Sequence, residues 1–204
     1  MMKNKYTDIV NELTDREIMF HLVATQVLLI VISLILGFFL FDDLSSFWEL
    51  LKWDDAKVWT VGVVSGLVIV NVDLLLMRIL PSSFYDDGGL NQRLFQSKTV
   101  WQIAAIAALV AIGEEVLFRG VLQTHFGLVI TSIIFALIHY RYLFNLFLFI
   151  NIVVLSFFIG YIYEMTDNLL VTIVLHFIVD FLLGVMIRFS RKKSNQRGGK
   201  TNHE

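Results

Sequence analysis

Two adjacent carboxylates and an arginine lie within an otherwise apolar stretch of this chain. The segment GEEVLFRG, residues 113–120, places Glu114, Glu115 and Arg119 where lipid-facing side chains would be expected. A charged side chain near the centre of a membrane helix costs about 3 kcal/mol on insertion scales, so such groups usually face a protein interior or an aqueous cavity. These three residues are therefore candidates for chemistry.

The helical period separates the roles of the two glutamates. Glu115 and Arg119 are four residues apart and share one helix face, so they can neutralise each other. Glu114 is turned by about 100° from Glu115, which leaves it without a local counter-charge. A carboxylate of that kind suits a general base that takes a proton from water. The alternative interpretation is that both glutamates pair with basic side chains and only fix helix packing.

Two histidines and a third acid extend this set. His139 ends the run FALIHY, one helical turn after Phe135, and His176 and Asp180 share one face of the last apolar helix, in LHFIVDF. Peptide hydrolysis needs a base that deprotonates water and donors that stabilise an oxyanion. Glu114 and His139 would activate the water. His176 would face the oxyanion, with Asp180 holding its imidazole in a donating tautomer. Structurally, His139 could instead be an interfacial residue, and the other two a pair that staples helices.

The elements that must position these residues are membrane helices. The chain has 204 residues, of which 57% are hydrophobic and one is proline, and its mean hydropathy is +0.73, which is too apolar for an ordinary soluble domain. We predict an all-α fold, a polytopic membrane helix bundle with about six membrane segments. The predicted segments are residues 18–41, 58–77, 100–126, 127–140, 143–163 and 168–189. The segment 127–140 is too short to cross a bilayer comfortably.

The basic residues predict how the bundle is oriented. Residues 1–17 form an N-terminal segment, residues 18–189 the membrane domain, and residues 190–204 a flexible basic tail. Of the 16 lysines and arginines, Arg119 lies within a predicted segment, and Lys52 and Lys57 fall on the side opposite the termini. The other 13 fall on the side of the termini. The positive-inside rule then places both termini in the cytoplasm, and we expect a multi-pass protein of the cell membrane.

Composition also excludes some classes of function. The net charge of −2 provides no basic field, so nucleic acid is not an expected partner. The chain has no cysteine, which excludes thiolate nucleophiles and cysteine-ligated metals. A serine protease would need a nucleophile beside a histidine, and Ser65 is better explained as a small helix-packing residue. Asp73 lies near a membrane boundary beside Arg78 and needs no catalytic role.

The charged motifs together resemble those of the CPBP intramembrane proteases, the group that contains the type II CAAX prenyl endopeptidases. The resemblance covers about residues 101–189 and consists, in order, of Glu114-Glu115-x-x-x-Arg119, Phe135-x-x-x-His139 and His176-x-x-x-Asp180. It implies an all-helical membrane enzyme that cleaves a peptide bond in or near the bilayer. It further implies that Glu114 acts on water with His139, and that His176 and Asp180 serve the oxyanion. Many relatives have asparagine at the position of Asp180.

The partners implied are membrane lipid and a hydrophobic or lipidated peptide or protein substrate, which we expect to be presented from the cytoplasmic leaflet. A divalent metal such as zinc stays open as a cofactor, because Glu114, His139 and His176 are reasonable zinc ligands. The chain lacks the His-Glu-x-x-His helix on which zinc recognition is most secure, and this argues against the metal.

Two other functions are compatible with the same residues. Chains of Glu, His and Asp in membrane helices also serve proton-coupled transporters, although this chain shows no internal repeat. A non-catalytic membrane immunity or binding protein is the other rival, and the intact motif residues argue against it.

Overall fold

The computed structural model describes residues 12–198, apart from the side chains of residues 141, 144 and 191–198. Parts of the predicted N-terminal segment and basic tail lie outside this range. The regular elements of the described residues are all helices, which confirms the all-α prediction. The α-helices are α1 (Asp15–Leu40), α2 (Leu44–Trp48), α3 (Val64–Ile79), α4 (Leu90–Phe95), α5 (Val100–Glu115), α6 (Thr124–Ile138), α7 (Leu146–Thr166) and α8 (Leu169–Gly198). Two π-helical segments, Val58–Val63 and Val116–Gln123, and two 3₁₀ turns, Ser82–Phe84 and Tyr140–Phe144, complete the set.

Five helical stretches of the described chain are long and apolar enough to cross a membrane. They are Asp15–Leu40, Val58–Ile79, Val100–Ile138, Leu146–Thr166 and Leu169–Ser190. This confirms a polytopic helical bundle. The count is five where the sequence predicts about six, because Val100–Ile138 contains two of the predicted segments in one helical stretch.

That stretch folds back on itself at Gly127. Gly127 has φ 79° and ψ 171°, a conformation that is essentially restricted to glycine. The rings of Phe118 and Phe135 lie 4.8 Å apart, whereas 17 residues of straight helix would separate them by about 25 Å. Residues 116–138 therefore form a helical hairpin with its tip at Gly127. The return arm, residues 128–138, spans about 16 Å, which is shorter than a hydrocarbon core of about 30 Å.

Local capping fixes where the site helices begin. Thr99 forms a capping box with Gln102 at the start of α5, in which each side chain accepts from the other residue's backbone N–H. At the start of α7, the Asn145 side chain accepts from Leu148 N–H. Such caps satisfy orphan donors of the first turn. The cap at Thr99 thus fixes the first residue of α5, the helix that carries Glu114 and Glu115.

Helix α8 is the central helix of the bundle and packs against α3, α5 and α7. One apolar cluster joins its buried residues Val171, Leu175 and Val179 to α7 and to the α3 region. The approach of α3 is close, since a Cβ built on Gly66 would lie 3.0 Å from the Leu175 carbonyl oxygen. A second cluster joins α1 and α4 to α5 around Ile103.

Polar contacts tie the loops together at one end of the bundle. Arg93 Nη2 lies 2.8 Å from Asp15 Oδ1 at the start of α1. The Asn145 amide donates to the carbonyls of Ser83 and Asp86 at 3.2 Å. These contacts join the start of α1, the loop before α5 and the loop before α7 at the same end.

The opposite end is joined in a similar way. Lys52 Nζ lies 2.6 Å from Asp167 Oδ2, and Leu169 N–H donates to the Leu50 carbonyl at 2.8 Å. The loop after α2 is thereby attached to the junction of α7 and α8. Since α8 begins at this end, it ends at the side on which α1 begins.

Candidate functional site

The first motif forms a buried ion pair. Glu115 and Arg119 are both fully buried, and Arg119 Nε lies 3.5 Å from Glu115 Oε2. The structure therefore contains the pair that the four-residue spacing predicts. It forms where α5 continues into the π-helical segment Val116–Gln123.

Arg119 also connects the hairpin to α7. Its Nη2 donates to the carbonyl and hydroxyl oxygens of Ser156, at 3.2 and 3.4 Å. Its guanidinium carbon lies 5.3 Å from the centre of the Phe135 ring, within the range of a cation–π contact. Sequence reasoning missed Ser156, because nothing in the α7 sequence marks which of its small residues faces a charge.

A hydrogen bond joins the first motif to the third. His176 Nδ1 lies 2.9 Å from Glu115 Oε1, and because a carboxylate only accepts, the Nδ1–H donates. The other imidazole nitrogen, Nε2, faces Asp180 Oδ2 at 3.7 Å. His176 is buried, while the Asp180 side chain is 31% exposed. The residue that bonds the inner nitrogen of His176 is thus Glu115, whereas the sequence predicts that Asp180 fixes the tautomer.

Glu114 lies next to this pair and is 8% exposed. Its carboxylate interacts electrostatically with both Arg119 and His176. The pair that forms within the helix is Glu115 with Arg119, and the lack of a local counter-charge at Glu114 stays a prediction.

His139 reaches the site through the hairpin. Its Nδ1 lies 2.8 Å from the Phe135 carbonyl oxygen. A carbonyl only accepts, so Nδ1 carries the proton and Nε2 of the neutral ring carries the lone pair. The imidazole packs on the Phe135 ring with the centroids 4.5 Å apart.

The antiparallel arms place His139 at the depth of the two glutamates. Phe135 lies beside Phe118 and Arg119. One turn further along the return arm is His139, and one turn back along the other arm are Glu114 and Glu115. Hydrogen bonds link Glu115 to His176, whereas His139 is linked to this pair through Phe135 and Arg119.

A glutamine of the first span also lies beside the first motif. Gln26 is 4% exposed, and its Oε1 lies 2.5 Å from where a Cβ on Gly113 would be. Gly113 directly precedes Glu114, so its lack of a side chain lets α1 approach the site. The sequence contains a signal for this contact, because the Gln26 amide lies inside an apolar run and needs a polar partner. The sequence does not identify that partner.

The donor set does not form a metal centre. Within residues 12–198, no group of three or more His, Asp or Glu side chains is arranged to hold a metal ion. The Nδ1 atoms of His139 and His176 donate to a carbonyl and a carboxylate, an arrangement that metal-ligating histidines also show at their second nitrogen. The described residues thus contain no ready-made three-ligand centre, and the zinc site stays a prediction from the sequence.

The comparisons with known proteins cover these same residues. The family model described as "Type II CAAX prenyl endopeptidase Rce1-like" matches residues 96–182, a range that includes all three motifs. "Uncharacterized protein YpbD" of Bacillus subtilis (strain 168) is 38% identical over 172 residues, covering 84% of this chain and 91% of that protein. "UPF0177 protein YxdF" of Lactococcus lactis subsp. lactis (strain IL1403) is 27% identical over 146 residues, covering 67% and 81%. No solved structure matches the chain. The first and third motifs are joined at Glu115, and all three motifs lie within the matched range. Together with the relative that is 38% identical over 84% of the chain, these findings show that the chain belongs to the type II CAAX prenyl endopeptidase Rce1-like family.

Proposed function

We propose that this protein is an intramembrane endopeptidase that hydrolyses a peptide bond of a hydrophobic or lipidated, membrane-associated peptide. Its family is a family of proteases. The observation that carries the finer proposal is the 2.9 Å hydrogen bond between Glu115 and His176, two residues 61 positions apart. It brings the first and third motifs together beside Glu114, and a packing role alone does not require a second carboxylate there.

In the proposed reaction, Glu114 is the general base. It takes a proton from a water molecule as the water oxygen bonds to the carbonyl carbon of the substrate. His139, with its lone pair on Nε2, assists at the same depth of the bundle. The proton then passes to the nitrogen of the leaving amine as the C–N bond breaks, so that the base is regenerated.

His176 is proposed to stabilise the tetrahedral oxyanion. A carboxylate lies near each of its two nitrogens, and the ring donates from both only as the imidazolium. Glu115 holds Nδ1, which directs the Nε2–H toward the more exposed side of the site. Fixed donors of this kind act strongly where water is largely excluded. Arg119 is a positioning residue that holds Glu115.

We further propose that the protein lies in the cell membrane with both termini in the cytoplasm. The excess of lysine and arginine on the side of the termini supports this orientation. The substrate would then enter from the cytoplasmic leaflet. The proposed steps use these side chains without a metal, in line with the lack of a three-ligand group among the described residues.

The proposal is tested by comparing peptides in cells that carry the wild type, Glu114→Gln or His139→Ala. Glu164→Gln, a change at an exposed glutamate of α7, is the matched control. Mass spectrometry of new peptide termini should reveal species that the wild type and the control produce. Both site variants should reduce them by about 10²–10⁴-fold, the usual contribution of acid–base catalysis.

Two outcomes would contradict the proposal. Unchanged peptide species in the Glu114→Gln cells, with normal membrane insertion, would exclude this base. A biological activity that survives both site changes would favour a binding or immunity protein, and solute uptake that depends on a proton gradient would favour a transporter.

A further inference from the structure

Four buried polar atoms below the candidate site have no hydrogen-bond partner in the structure. They are Arg119 Nη1, Gln123 Oε1, Thr131 Oγ1 and Ser132 Oγ. Gln123 is 4% exposed and the other three residues are fully buried. Buried polar atoms of native proteins are nearly always paired, with protein or with ordered water, because an unpaired one is costly. Arg119 Nε, a fifth such atom of the hairpin, faces Glu115 Oε2 at 3.5 Å. The other four require a common explanation.

Two hydrogen bonds fix how the hairpin lies against α7. Arg119 Nη2 donates to Ser156 at 3.2 Å and Gln123 Nε2 donates to the Gly160 carbonyl at 2.8 Å. The same sequence separation of 37 residues in both pairs shows that the two segments run parallel. These bonds hold Nε2 of the amide and Nη2 of the guanidinium, and Arg119 Nε faces Glu115. Gln123 Oε1 and Arg119 Nη1 are the polar atoms that are left without a partner.

The return arm brings the hydroxyls of Thr131 and Ser132 to the level of Arg119 and Gln123. A Cβ built on Gly160 would meet both Gln123 Oε1, at 2.8 Å, and the side chain of Leu128. Ser132 follows Leu128 by one turn on the same face, and the antiparallel direction places it opposite Ser156.

Thr131 is placed by the same kind of argument. Thr131 lies one helical turn before Phe135 on the return arm, and Phe135 packs against Arg119. The antiparallel arms therefore put Thr131 opposite Gln123. Both hydroxyls thus belong to the junction of the two hairpin arms with α7.

We propose that Arg119, Gln123, Thr131 and Ser132 form an internal water-binding site. A water molecule both donates and accepts, and buried waters make about three hydrogen bonds to groups that otherwise lack partners. The set offers an N–H donor, a carbonyl acceptor and two hydroxyls that do either. The guanidinium disfavours a cation, and the amide oxygen disfavours an anion, so neutral water fits the site.

The site lies one helical turn from Glu115, whose partner Arg119 is shared by both. It therefore completes the hydrogen bonding of the residue that positions Glu115 and His176. It also stores water next to a reaction that consumes water, and this last consequence rests on the proposed function.

The test is radiolytic hydroxyl-radical labelling of the full-length protein in lipid nanodiscs with ¹⁸O-water. Radicals formed from bound water modify the side chains around it, even buried ones. Phe118 and Phe135, which are 1% and 2% exposed, should be labelled faster than Phe95, which is 8% exposed and lies in α4. The double variant Thr131→Val with Ser132→Ala should lower the labelling of both to the level of Phe95.

The matched control is Ser33→Ala, which removes a buried hydroxyl that already donates to the Leu29 carbonyl at 2.7 Å. It should leave the labelling of Phe118 and Phe135 unchanged. If Phe118 and Phe135 of the wild type are labelled no faster than Phe95, this result alone overturns the proposal. Equal labelling of the wild type and the double variant would also overturn it. Peptide cleavage is measured separately, so a hydrated hairpin without cleavage would refute the proposed function alone.

Discussion

Replacing Arg119 with methionine removes the guanidinium that faces Glu115 in the interior. Both residues are fully buried, with 3.5 Å between Nε and Oε2. Two unit charges at this separation interact by about 5 kcal/mol at an effective dielectric constant of ~20. Breaking a buried pair by removing one partner costs about 3–5 kcal/mol. Because His176 still donates to Glu115, we expect a loss near the lower limit, about 3 kcal/mol of unfolding free energy.

A double-mutant cycle separates the pair from the packing of each side chain. The variants are Arg119→Met, Glu115→Gln and the two combined, each unfolded by SDS in mild detergent and followed by far-ultraviolet circular dichroism. Glu115→Gln alone leaves a buried guanidinium, so it should cost a similar amount. The double variant removes both charges, and its loss should be about 2–3 kcal/mol smaller than the sum of the single losses.

An exposed ion pair provides the matched control. Lys52 and Asp167 approach to 2.6 Å, but their side chains are 44% and 77% exposed. Solvent screening limits such pairs to about 0–1 kcal/mol, so Lys52→Met should change stability little. Additive losses at Arg119 and Glu115, within about 0.5 kcal/mol, would refute the argument that the two charges depend on each other.

Three further predictions follow from the same geometry. Gly113→Ala should cost less than about 1 kcal/mol on SDS unfolding, because the added Cβ meets the far end of the flexible Gln26 side chain and alanine has the higher helix propensity; a loss of about 3 kcal/mol would show that Gln26 cannot shift. Gly127→Ala should lose about 1–3 kcal/mol from backbone strain alone, because nothing lies within 4 Å of the added Cβ; an unchanged unfolding midpoint would contradict the hairpin tip. Dialysis of the purified protein against a chelator should leave peptide cleavage unchanged, and a loss that zinc restores would contradict the metal-free reaction.

The parts of the site that arise within one helix could be predicted from the sequence. The spacing of Glu115 and Arg119 predicts their ion pair, and the spacing of His176 and Asp180 predicts that they share a face. Both follow from the period of the α-helix, which is a local property. The apolar runs likewise predict the helices, because their length is set by the thickness of the bilayer.

The contacts between helices could not be predicted in this way. The hydrogen bond from His176 to Glu115 joins residues 61 positions apart. The helical period relates residues within one helix, so it does not predict this contact. Arg119 lies in a π-helical segment, which no composition signal marks. The length of segment 127–140 predicts that it is too short to span the membrane, but only the fold shows that it returns along the preceding helix.

The most direct test of the account is whether the hairpin brings His139 to Glu114. The chain contains no cysteine, so cysteines placed at positions 114 and 139 are the only thiols present. A short bifunctional thiol reagent, followed by mass spectrometry of the linked peptides, should join these two positions in native membranes. It should not join position 139 to a cysteine at the exposed position 164. Linkage at the level of that control pair would contradict the convergence of the motifs on one site.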